Sequence, residues 1–323
     1  MSSSVSVAIH PSQFPDQVQR DLLTSLRTRR INHKFHYDSH KQTQKWLALH
    51  EAHSPARYDP DCQATYVRAF AHTSAHLPPG PLQITSLGCG GGQKDVQLLQ
   101  LLAATGREVA YAPGDVSVAM VLVARAAALT VVSAEKCFPF VCDLTTADDL
   151  RESLPILHPS LVTFFGMIPN FEPQVILPKL VTLIGPSDWL LFSANLAPGT
   201  DYGAGMRKIL LQYDNPQTQD WLLTFLLDLG VERGDGELRF QIEADTASGL
   251  QRVAADFYFT CSRQIKVGGE PFDFTAGEVI RLFYSYRYTP ERVRTLLGQH
   301  GLAVQEQWIA ASAEEGVFLC RRH

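Results

Sequence analysis

Four glycines fall within a five-residue turn, Gly88-Cys89-Gly90-Gly91-Gly92, between an apolar segment and a helical pattern. The preceding segment, Leu82 to Leu87, has the composition of a buried strand, and a helix is predicted from about Asp95 to Ala104. Glycine permits positive φ values and lets a ligand approach the backbone closely. A helix that begins at such a turn presents free N–H groups and a partial positive charge. The turn therefore predicts an α/β fold with a ligand bound where the strand ends.

The spacing of these glycines excludes two common phosphate-binding motifs. A P-loop needs Gly-Lys-Ser/Thr, and Gly92-Gln93-Lys94-Asp95 has no hydroxyl for Mg²⁺. A dinucleotide fingerprint needs a small residue at its sixth position, where this chain has Gln93. The pattern Gly88-x-Gly90-x-Gly92 instead resembles the cofactor loop of class I S-adenosylmethionine (SAM)-dependent methyltransferases.

Strand-like and helical segments alternate through the middle of the chain. The predicted strands run from Leu82 to Leu87, Glu108 to Ala112, Phe138 to Val141, Ser160 to Phe165 and Trp189 to Ala194. Further helices are predicted from Val118 to Leu129 and from Pro173 to Ile184. Such alternation indicates a parallel sheet with crossover helices.

An insertion interrupts this alternation between about Pro198 and Tyr286. It contains a long helical stretch, broken near Asn215, and two strand-like runs, Glu237 to Ile242 and Ala254 to Ser262. We therefore expect the insertion to form a small sheet of its own.

The chain ends with a helix that opens at Thr289-Pro290-Glu291, followed by two strands, Ala303 to Ala310 and Gly316 to Cys320. The turn between these strands predicts an antiparallel pair. The expected domains are residues 63–199 with 287–323 as the cofactor-binding domain, and residues 1–62 with 200–286 as the substrate-binding domain.

Charge and composition exclude several classes of partner. The chain has 28 basic and 33 acidic residues, so it has no basic excess with which to bind a phosphate backbone. Its longest apolar run, Val118 to Val132, is interrupted by Arg125 and is too short for a membrane span. The six cysteines include no C-x-x-C pair, which predicts reduced thiols and no metal site. Met1 to His10 lacks a signal-peptide core, so we expect a cytoplasmic protein. We also expect a monomer or weak dimer with no nucleic-acid or membrane partner.

Two acidic residues follow the second and third predicted strands. Asp115 is placed to accept both hydroxyls of a ribose, and Asp143 is placed to accept the amino group of an adenine. Ligands of open α/β sheets bind at the carboxyl ends of the strands, so both carboxylates converge with the glycine turn on one crevice. The alternatives are that Asp115 is a turn or cap residue and that Asp143 is a solvated loop residue.

At finer grain, six segments in order resemble the histidine-specific N-alpha-methyltransferase family of ergothioneine biosynthesis. They are Lys34 to Asp38, Leu87 to Lys94, Pro113 to Ser117, Phe165 to Asn170, Tyr213-Asp214 and Ser285 to Tyr288. The resemblance implies a Rossmann-like class I methyltransferase sheet with an antiparallel C-terminal strand. It also implies a second α+β domain, made of the N-terminal segment and the insertion, and SAM as the cofactor of an enzyme that acts on a small molecule.

The same resemblance assigns roles residue by residue. The cofactor-binding residues would be Gly88, Gly90, Lys94, Asp115, Val116 and Asp143. Asn170 and Tyr213 would hold the amino-acid backbone of the acceptor, and Tyr37 and Ser285 would line the same pocket. The catalytic residues would be Asn170 and Tyr37. An asparagine side chain both donates and accepts, which suits an ammonium and a carboxylate on one carbon. The alternatives are that Asn170 only forms a turn and that the two tyrosines only pack.

Two departures from the family concern the side chain of the acceptor. The family's imidazole-binding glutamate falls on Phe283, and a second imidazole-facing tyrosine falls on His53. A buried phenylalanine cannot accept a hydrogen bond from an imidazole N–H, and losing such a bond removes discrimination of about 10⁴–10⁵. We therefore expect an acceptor other than histidine, with Phe283 against an apolar side chain and His53 at a polar tip.

Transfer from a sulfonium needs alignment of the nucleophile rather than a metal or a catalytic triad. The leading hypothesis is an N-methyltransferase for the alpha-amino group of an amino acid or similar small molecule. Two hypotheses stay open beside it: transfer to oxygen or of the aminocarboxypropyl group, and a non-catalytic cofactor-binding protein.

Overall fold

The computed structural model describes residues 4–153 and 159–323. Its strands are β1 (Ala8–Ile9), β2 (Leu82–Leu87), β3 (Val109–Asp115), β4 (Phe140–Val141), β5 (Ser160–Phe165), β6 (Trp189–Asn195), β7 (Gly236–Ala244), β8 (Gln251–Phe259), β9 (Arg263–Val267), β10 (Glu270–Phe274), β11 (Val279–Arg287), β12 (Leu302–Ile309) and β13 (Glu315–Arg322). Its α-helices are α1 (Pro15–Thr28), α2 (His40–His53), α3 (Pro55–Tyr58), α4 (Pro60–His76), α5 (Gln93–Ala104), α6 (Val118–Ala128), α7 (Leu150–Ser153), α8 (Pro173–Leu183), α9 (Tyr202–Tyr213), α10 (Pro216–Asp228) and α11 (Pro290–Gln299).

Within the described residues, one large sheet has eight strands in the order β1-β4-β3-β2-β5-β6-β13-β12. The strands from β1 to β6 pair in parallel, whereas β13 is antiparallel to both β6 and β12. Every residue of β2 is buried, as expected for an inner strand with both faces covered. The sheet confirms the predicted Rossmann-like α/β fold with an antiparallel C-terminal end.

The strand β3 continues past its predicted end at Ala112 to Asp115. Pro113 and Gly114 pair with Ser86 and Leu87 instead of closing a turn. A Cβ on Gly114 would overlap the Phe140 ring of the next strand, so glycine is what lets the sheet continue here. The consequence is that Asp115 is the last residue of a strand.

The insertion forms a three-stranded antiparallel sheet in the order β11-β8-β7 and a hairpin of β9 and β10. Its helical stretch divides at Asn215 into α9 and α10, because the Asn215 side chain accepts the Thr218 N–H and Pro216 begins the second helix. The sequence pattern predicts strands in the regions of β7 and β8 but does not predict the hairpin or β11.

The N-terminal segment contributes to both parts of the fold. Ala8–Ile9 pair in parallel with Phe140–Val141 at the edge of the large sheet. The predicted division assigned all of residues 1–62 to the substrate-binding domain, so this strand is a correction to it. The remainder of that segment leads through α1 to α2, which packs against α10 of the insertion. The rest of the division stays a prediction.

The carboxyl ends of β2, β3, β4 and β5 lie at one edge of the large sheet, since these strands run parallel. Elements of the N-terminal segment and the insertion cover that edge. α2 packs against α6, and β11 packs against the turn Ile168–Asn170 that follows β5. A cleft between the two layers is therefore bounded by the strand ends below and by α2 and β11 above.

Candidate active site

A cavity of about 760 Å³ lies in this cleft. Its volume is within the range of about 300–1,000 Å³ that is usual for small-molecule sites. The glycine turn, the ends of β3 and β4, and the segment after β5 form its floor, and residues from α1, α2 and β11 form its roof. All the predicted cofactor-binding residues line the cavity, and so do two of the predicted acceptor-binding residues, Asn170 and Tyr37.

The glycine turn cannot accommodate side chains at its first and third positions. Gly88 and Gly90 have φ values of 65° and 51°. A Cβ on Gly88 would lie 2.5 Å from Cγ of Met167, and one on Gly90 would lie 3.1 Å from the Trp46 ring. The turn therefore presents bare backbone at Gly88 and Gly90, as a ligand that lies against the backbone requires, and we call these two residues the cradle.

Asp115 ends β3 at the wall of the cavity, next to Val116. Its carboxylate accepts the N–H groups of Gly90 at 3.1 Å and Ser117 at 3.0 Å. Burial raises the pKa of this carboxyl to about 6, although the backbone N–H groups act in the opposite direction. Each carboxylate oxygen keeps a second lone pair, so both oxygens can accept the hydroxyls of a ribose.

Asp143 follows β4 and is only 4% exposed. Its Oδ1 accepts the Thr145 N–H at 2.8 Å, whereas its Oδ2 has no hydrogen-bond partner among the described residues. The Lys34 ammonium lies 3.4 Å from Oδ2 and 2.5 Å from the Asp21 carboxylate. An adenine amino group would supply the hydrogen-bond donor that this buried oxygen lacks, so the site fits the adenosyl end of SAM.

Lys94 marks the opposite end of the cofactor region. Its ammonium lies 2.5 Å from the Tyr66 hydroxyl and 3.2 Å from a carboxylate oxygen of Glu315. Burial opposes ionisation of Glu315, but the Lys94 charge and the hydrogen bonds outweigh it and hold the pKa of this carboxyl below its usual range. Lys94 lines the cavity, whereas Glu315 does not, so the Lys94 ammonium is the charge that suits the carboxylate of the methionine tail of SAM.

The predicted acceptor-binding residues separate into two groups. Asn170 and Tyr37 line the cavity, and burial raises the pKa of the Tyr37 hydroxyl. Tyr213 and Ser285 do not line it. The Tyr213 hydroxyl instead accepts a hydrogen bond from Arg287 at 2.9 Å.

Two residues expected at the acceptor side chain require correction. His53 is the last residue of α2 and is exposed, with its ring 3.2 Å from the Gln217 side chain, because the chain turns away into α3 at that point. Phe283 is buried in the core of the insertion, 4.7 Å from the His33 ring and 5.5 Å from the Trp221 ring. The β11 register shifts just before Phe283, and Tyr284 lines the cavity in its place.

Several cavity residues were not predicted from the sequence. They are His33, Trp46, His50, Glu172 and Tyr284. Burial lowers the pKa of His33 to about 3 and, with the charges of Lys94 and Arg57, that of His50 to about 4, so both imidazoles are neutral. The adjacency of Glu172 to the Asn170 turn was the one available signal, whereas the others come from elements distant in sequence.

In the described ranges, 4–153 and 159–323, no group of three or more His, Cys, Asp or Glu residues could hold a metal ion. No helix in those ranges is both long enough and apolar enough to cross a membrane.

A family model for histidine-specific, SAM-dependent methyltransferases matches residues 17–322. The chain belongs to this family. The match covers the insertion and every strand of the large sheet except β1, so the enzyme is a SAM-dependent methyltransferase with SAM as its cofactor. The cradle of Gly88 and Gly90, the Asp115 carboxylate and the Asp143 oxygen that lacks a hydrogen bond among the described residues fit that cofactor.

Two known proteins illustrate how far the similarity extends. The N-methyltransferase imqF of Aspergillus flavus is 25% identical over 283 residues, which cover 82% of this chain and 72% of the relative. The crystal structure of magnesium protoporphyrin IX methyltransferase (ChlM) from Synechocystis PCC 6803, with bound SAH, has a TM-score of 0.50 and 14% identity, covering 90% of this chain and 98% of that one. The second likeness shows the shared fold alone.

Proposed function

We propose that this methyltransferase methylates the amino group of an amino acid or an amino-acid-like small molecule. The observation that carries the proposal is a single cavity in which Asn170 and Tyr37 stand beside the glycine turn and Asp115. An asparagine amide and a neutral tyrosine hydroxyl can each donate and accept hydrogen bonds, which suits an amine whose lone pair must point at the transferred methyl group. The name of the Aspergillus flavus relative, an N-methyltransferase, supports nitrogen as the acceptor atom.

SAM, when bound, supplies a methyl group on a cationic sulfonium, and transfer forms an N–C bond as the S–C bond breaks. The residues of the chain position the amine in line and leave it unprotonated. Burial keeps the Tyr37 hydroxyl neutral, so this tyrosine orients the lone pair by hydrogen bonding rather than acting as a strong base. A cavity that also holds the cationic sulfonium disfavours a second cation, which lowers the pKa of an acceptor ammonium.

We also propose that histidine is not the preferred acceptor, on a different basis from Phe283. The carboxylate that follows Asn170 in the cavity wall is Glu172, and its oxygens already accept from Arg252 at 3.0 Å and from the Tyr286 hydroxyl at 2.5 Å. Because Arg252 already neutralises this carboxylate, it would stabilise an imidazole less than an unpaired carboxylate would. Calorimetry of the protein with histidine and S-adenosylhomocysteine (SAH) tests this, and micromolar histidine binding that depends on Asn170 would contradict it.

Mass spectrometry of reactions with a panel of amino acids and amines tests the proposed function. The expected product carries one to three added methyl groups on nitrogen, and a product with an aminocarboxypropyl group would overturn the proposal.

Asn170→Ala is expected to lower kcat/KM by about 100-fold through misplacement of the amine, with the SAH affinity nearly unchanged. Asn215→Ala is the matched control, because it removes the same amide from the start of α10, outside the cavity. Equal activity of Asn170→Ala and the wild type would refute the proposal that Asn170 positions the amine of the acceptor.

A further inference from the structure

Two arginines line the cavity, and neither forms an ion pair with any residue of the ranges 4–153 and 159–323. They are Arg30, which follows α1, and Arg57 in α3. Burial lowers the pKa of His50, and the charges of Lys94 and Arg57 add to this effect, so Arg57 lies near Lys94 at the cofactor end. Arg30 is therefore the cation of the cavity wall to which the site described above gives no role.

The arginines next to Arg30 in sequence are neutralised outside the cavity. The Arg27 guanidinium lies 2.5 Å from the Glu270 carboxylate. The Arg29 guanidinium lies 3.3 Å from the Glu278 carboxylate. Neither Arg27 nor Arg29 lines the cavity. Three arginines within four residues thus separate into two that pair with acids of the insertion and one that lines the cavity.

The backbone around Arg30 is fixed from two sides. Arg29 ends α1 in a left-handed conformation with φ of 54°, and the Arg30 N–H is donated to the Ser25 carbonyl at 3.1 Å. The Arg29 carbonyl accepts the Arg281 N–H of β11, and the Arg281 carbonyl accepts the Ile31 N–H, each at 2.8 Å. Because this backbone is already ordered, a ligand that binds the Arg30 side chain does not have to order it.

Arg30 lies on the wall of the cavity that also carries the acceptor-side residues. Burial and the Glu172 charge raise the pKa of the Tyr284 hydroxyl, whereas the Arg30 charge acts in the opposite direction, so the guanidinium is near that hydroxyl. Tyr284 and Glu172 line the cavity, and Glu172 follows the turn that ends at Asn170. β11 packs against that turn. The wall therefore continues from Asn170 past Glu172 and Tyr284 to Arg30.

The carboxylate on this wall does not neutralise Arg30, because it is already engaged. The two oxygens of Glu172 accept from Arg252 at 3.0 Å and from the Tyr286 hydroxyl at 2.5 Å. The carboxylate of Asp21, on the helix that precedes Arg30, lies 2.5 Å from the Lys34 ammonium. The positive charge of Arg30 is thus available to a ligand.

His33 supplies a second hydrogen-bond donor at this wall. Its ring lies 4.4 Å from that of Tyr284, and burial lowers its pKa to about 3, so the imidazole is neutral. Nε2 accepts the Tyr284 backbone N–H at 3.3 Å, which assigns the ring proton to Nδ1. Nδ1 is buried and has no hydrogen-bond partner among the described residues. The Arg30 end of the cavity therefore offers N–H donors that lack acceptors.

We propose that Arg30 binds an anionic group, a carboxylate or a phosphate, at the end of the acceptor that is remote from the methylated amine. The guanidinium fork matches the paired oxygens of either group. The proposal rests on the proposed function and narrows its substrate class, because it requires an acceptor with an acidic tail. Arg30 is then a specificity-determining residue that disfavours acceptors with a cationic tail.

The experiment compares acceptor pairs that differ in one remote anionic group: glutamate with glutamine, aspartate with asparagine, 4-carboxyphenylalanine with phenylalanine, and phosphotyrosine with tyrosine. Binding to the SAH-loaded protein is measured by calorimetry at low and high salt, and methylated products are measured in parallel with SAM. The variants are Arg30→Met, Arg30→Lys and Arg30→Glu. The matched control is Arg27→Met, which removes a guanidinium from the end of the preceding helix, outside the cavity.

The expected result is that the anionic member of at least one pair binds more tightly, and is methylated faster, than its neutral partner. Arg30→Met is expected to weaken that member by about 10- to 30-fold, the size expected for one hydrogen bond to a charged group, and to remove the preference. Because Arg30 is exposed, high salt should reduce the preference of the wild type. Arg30→Lys should keep part of it, Arg30→Glu should reverse it, and Arg27→Met should keep it in full. A merely structural arginine would change the unfolding temperature without changing the ratio of the two affinities.

Failure of this inference is distinguishable from failure of the proposed function. Equal binding and methylation of both members of every pair, or a preference that survives in Arg30→Met, would overturn the anionic subsite and leave the proposed function in place wherever nitrogen is methylated. No response to any anionic member would also overturn the subsite. Binding of an anionic member that depends on Arg30, without a methylated nitrogen in any product, would instead overturn the proposed reaction and keep the subsite. The 4-carboxyphenylalanine and phosphotyrosine arms decide between carboxylate and phosphate.

Discussion

We propose that Asp115 binds the ribose of the cofactor, and its replacement by asparagine tests that role. The wild-type carboxylate accepts two backbone N–H groups, from Gly90 and Ser117, and faces the cavity. Asparagine has nearly the same shape but a single acceptor oxygen, and its NH₂ group would oppose one of the backbone donors. We expect Asp115→Asn to fold and to bind SAH weakly.

The magnitude follows from the two hydrogen bonds that a ribose would make to the carboxylate. A hydrogen bond to a charged group contributes about 1.5–3 kcal/mol and a neutral one about 0.5–1.5 kcal/mol. If one charged bond is lost and the other becomes neutral, the binding free energy falls by about 2–4 kcal/mol. Since about 1.4 kcal/mol is tenfold in affinity, the Kd for SAH should rise about 30- to 1,000-fold.

The pH dependence gives a second, independent readout of the same residue. Because burial raises the pKa of Asp115 to about 6, the free protein carries a proton there under mildly acidic conditions. Ribose hydroxyls favour the ionised form, so binding must release this proton, and the affinity should fall about tenfold for each pH unit below about 6. Above that pH the affinity should be constant. His33 and His50, with pKa values of about 3 and 4, stay neutral across this range.

The assay is calorimetric titration with SAH from about pH 5 to about pH 8. The control is Asp148→Asn, which removes an exposed carboxylate that pairs with Lys179 outside the cavity. The wild type and the control should lose affinity in acid, and Asp115→Asn should show a weak, flat profile. An Asp115→Asn affinity within about threefold of the wild type would refute the placement of the ribose.

Two further substitutions test the cradle and the buried lysine. Gly88→Ala places a Cβ on a backbone with φ of 65° and within 2.5 Å of Met167. We therefore expect the free energy of unfolding to fall by at least about 1–2 kcal/mol and SAH binding to be lost. An unchanged unfolding temperature would contradict the predicted backbone strain. Lys34→Met leaves the carboxylates of Asp21 and Asp143 without their shared cation. We therefore expect the free energy of unfolding, measured in urea at neutral pH, to fall by about 3–5 kcal/mol. A fall below about 1 kcal/mol would show that these ion pairs do not stabilise the fold.

The residues that the sequence assigned to the cofactor line one cavity, because their placement depends on short-range signals. A strand, a glycine turn and a helix follow one another within about two dozen residues, and Asp115 and Asp143 directly follow or end adjacent strands. Parallel strands carry their carboxyl ends to one edge, so local pattern was sufficient to bring these residues together. The family resemblance extended this correctly to the fold and to SAM.

The acceptor half was predicted less well, because it depends on which face of β11 meets the cavity. Strand alternation has a period of two residues, so a single shift in register moves every later side chain to the other face. Such a shift lies between Arg281 and Phe283 and turns Phe283 into the core while Tyr284 lines the cavity. No local sequence pattern predicts that shift in register.

The sequence by itself determined a Rossmann-like methyltransferase sheet with the glycine turn and Asn170 at one edge, since each of these follows from residues close together in the chain. Only the tertiary structure decided how the N-terminal segment and the insertion close over that edge. It placed Lys34 between Asp21 and Asp143, removed His53 to the surface and buried Arg287 against Tyr213. The physical reason is that burial and charge compensation depend on contacts between segments far apart in sequence, which periodicity and spacing do not contain.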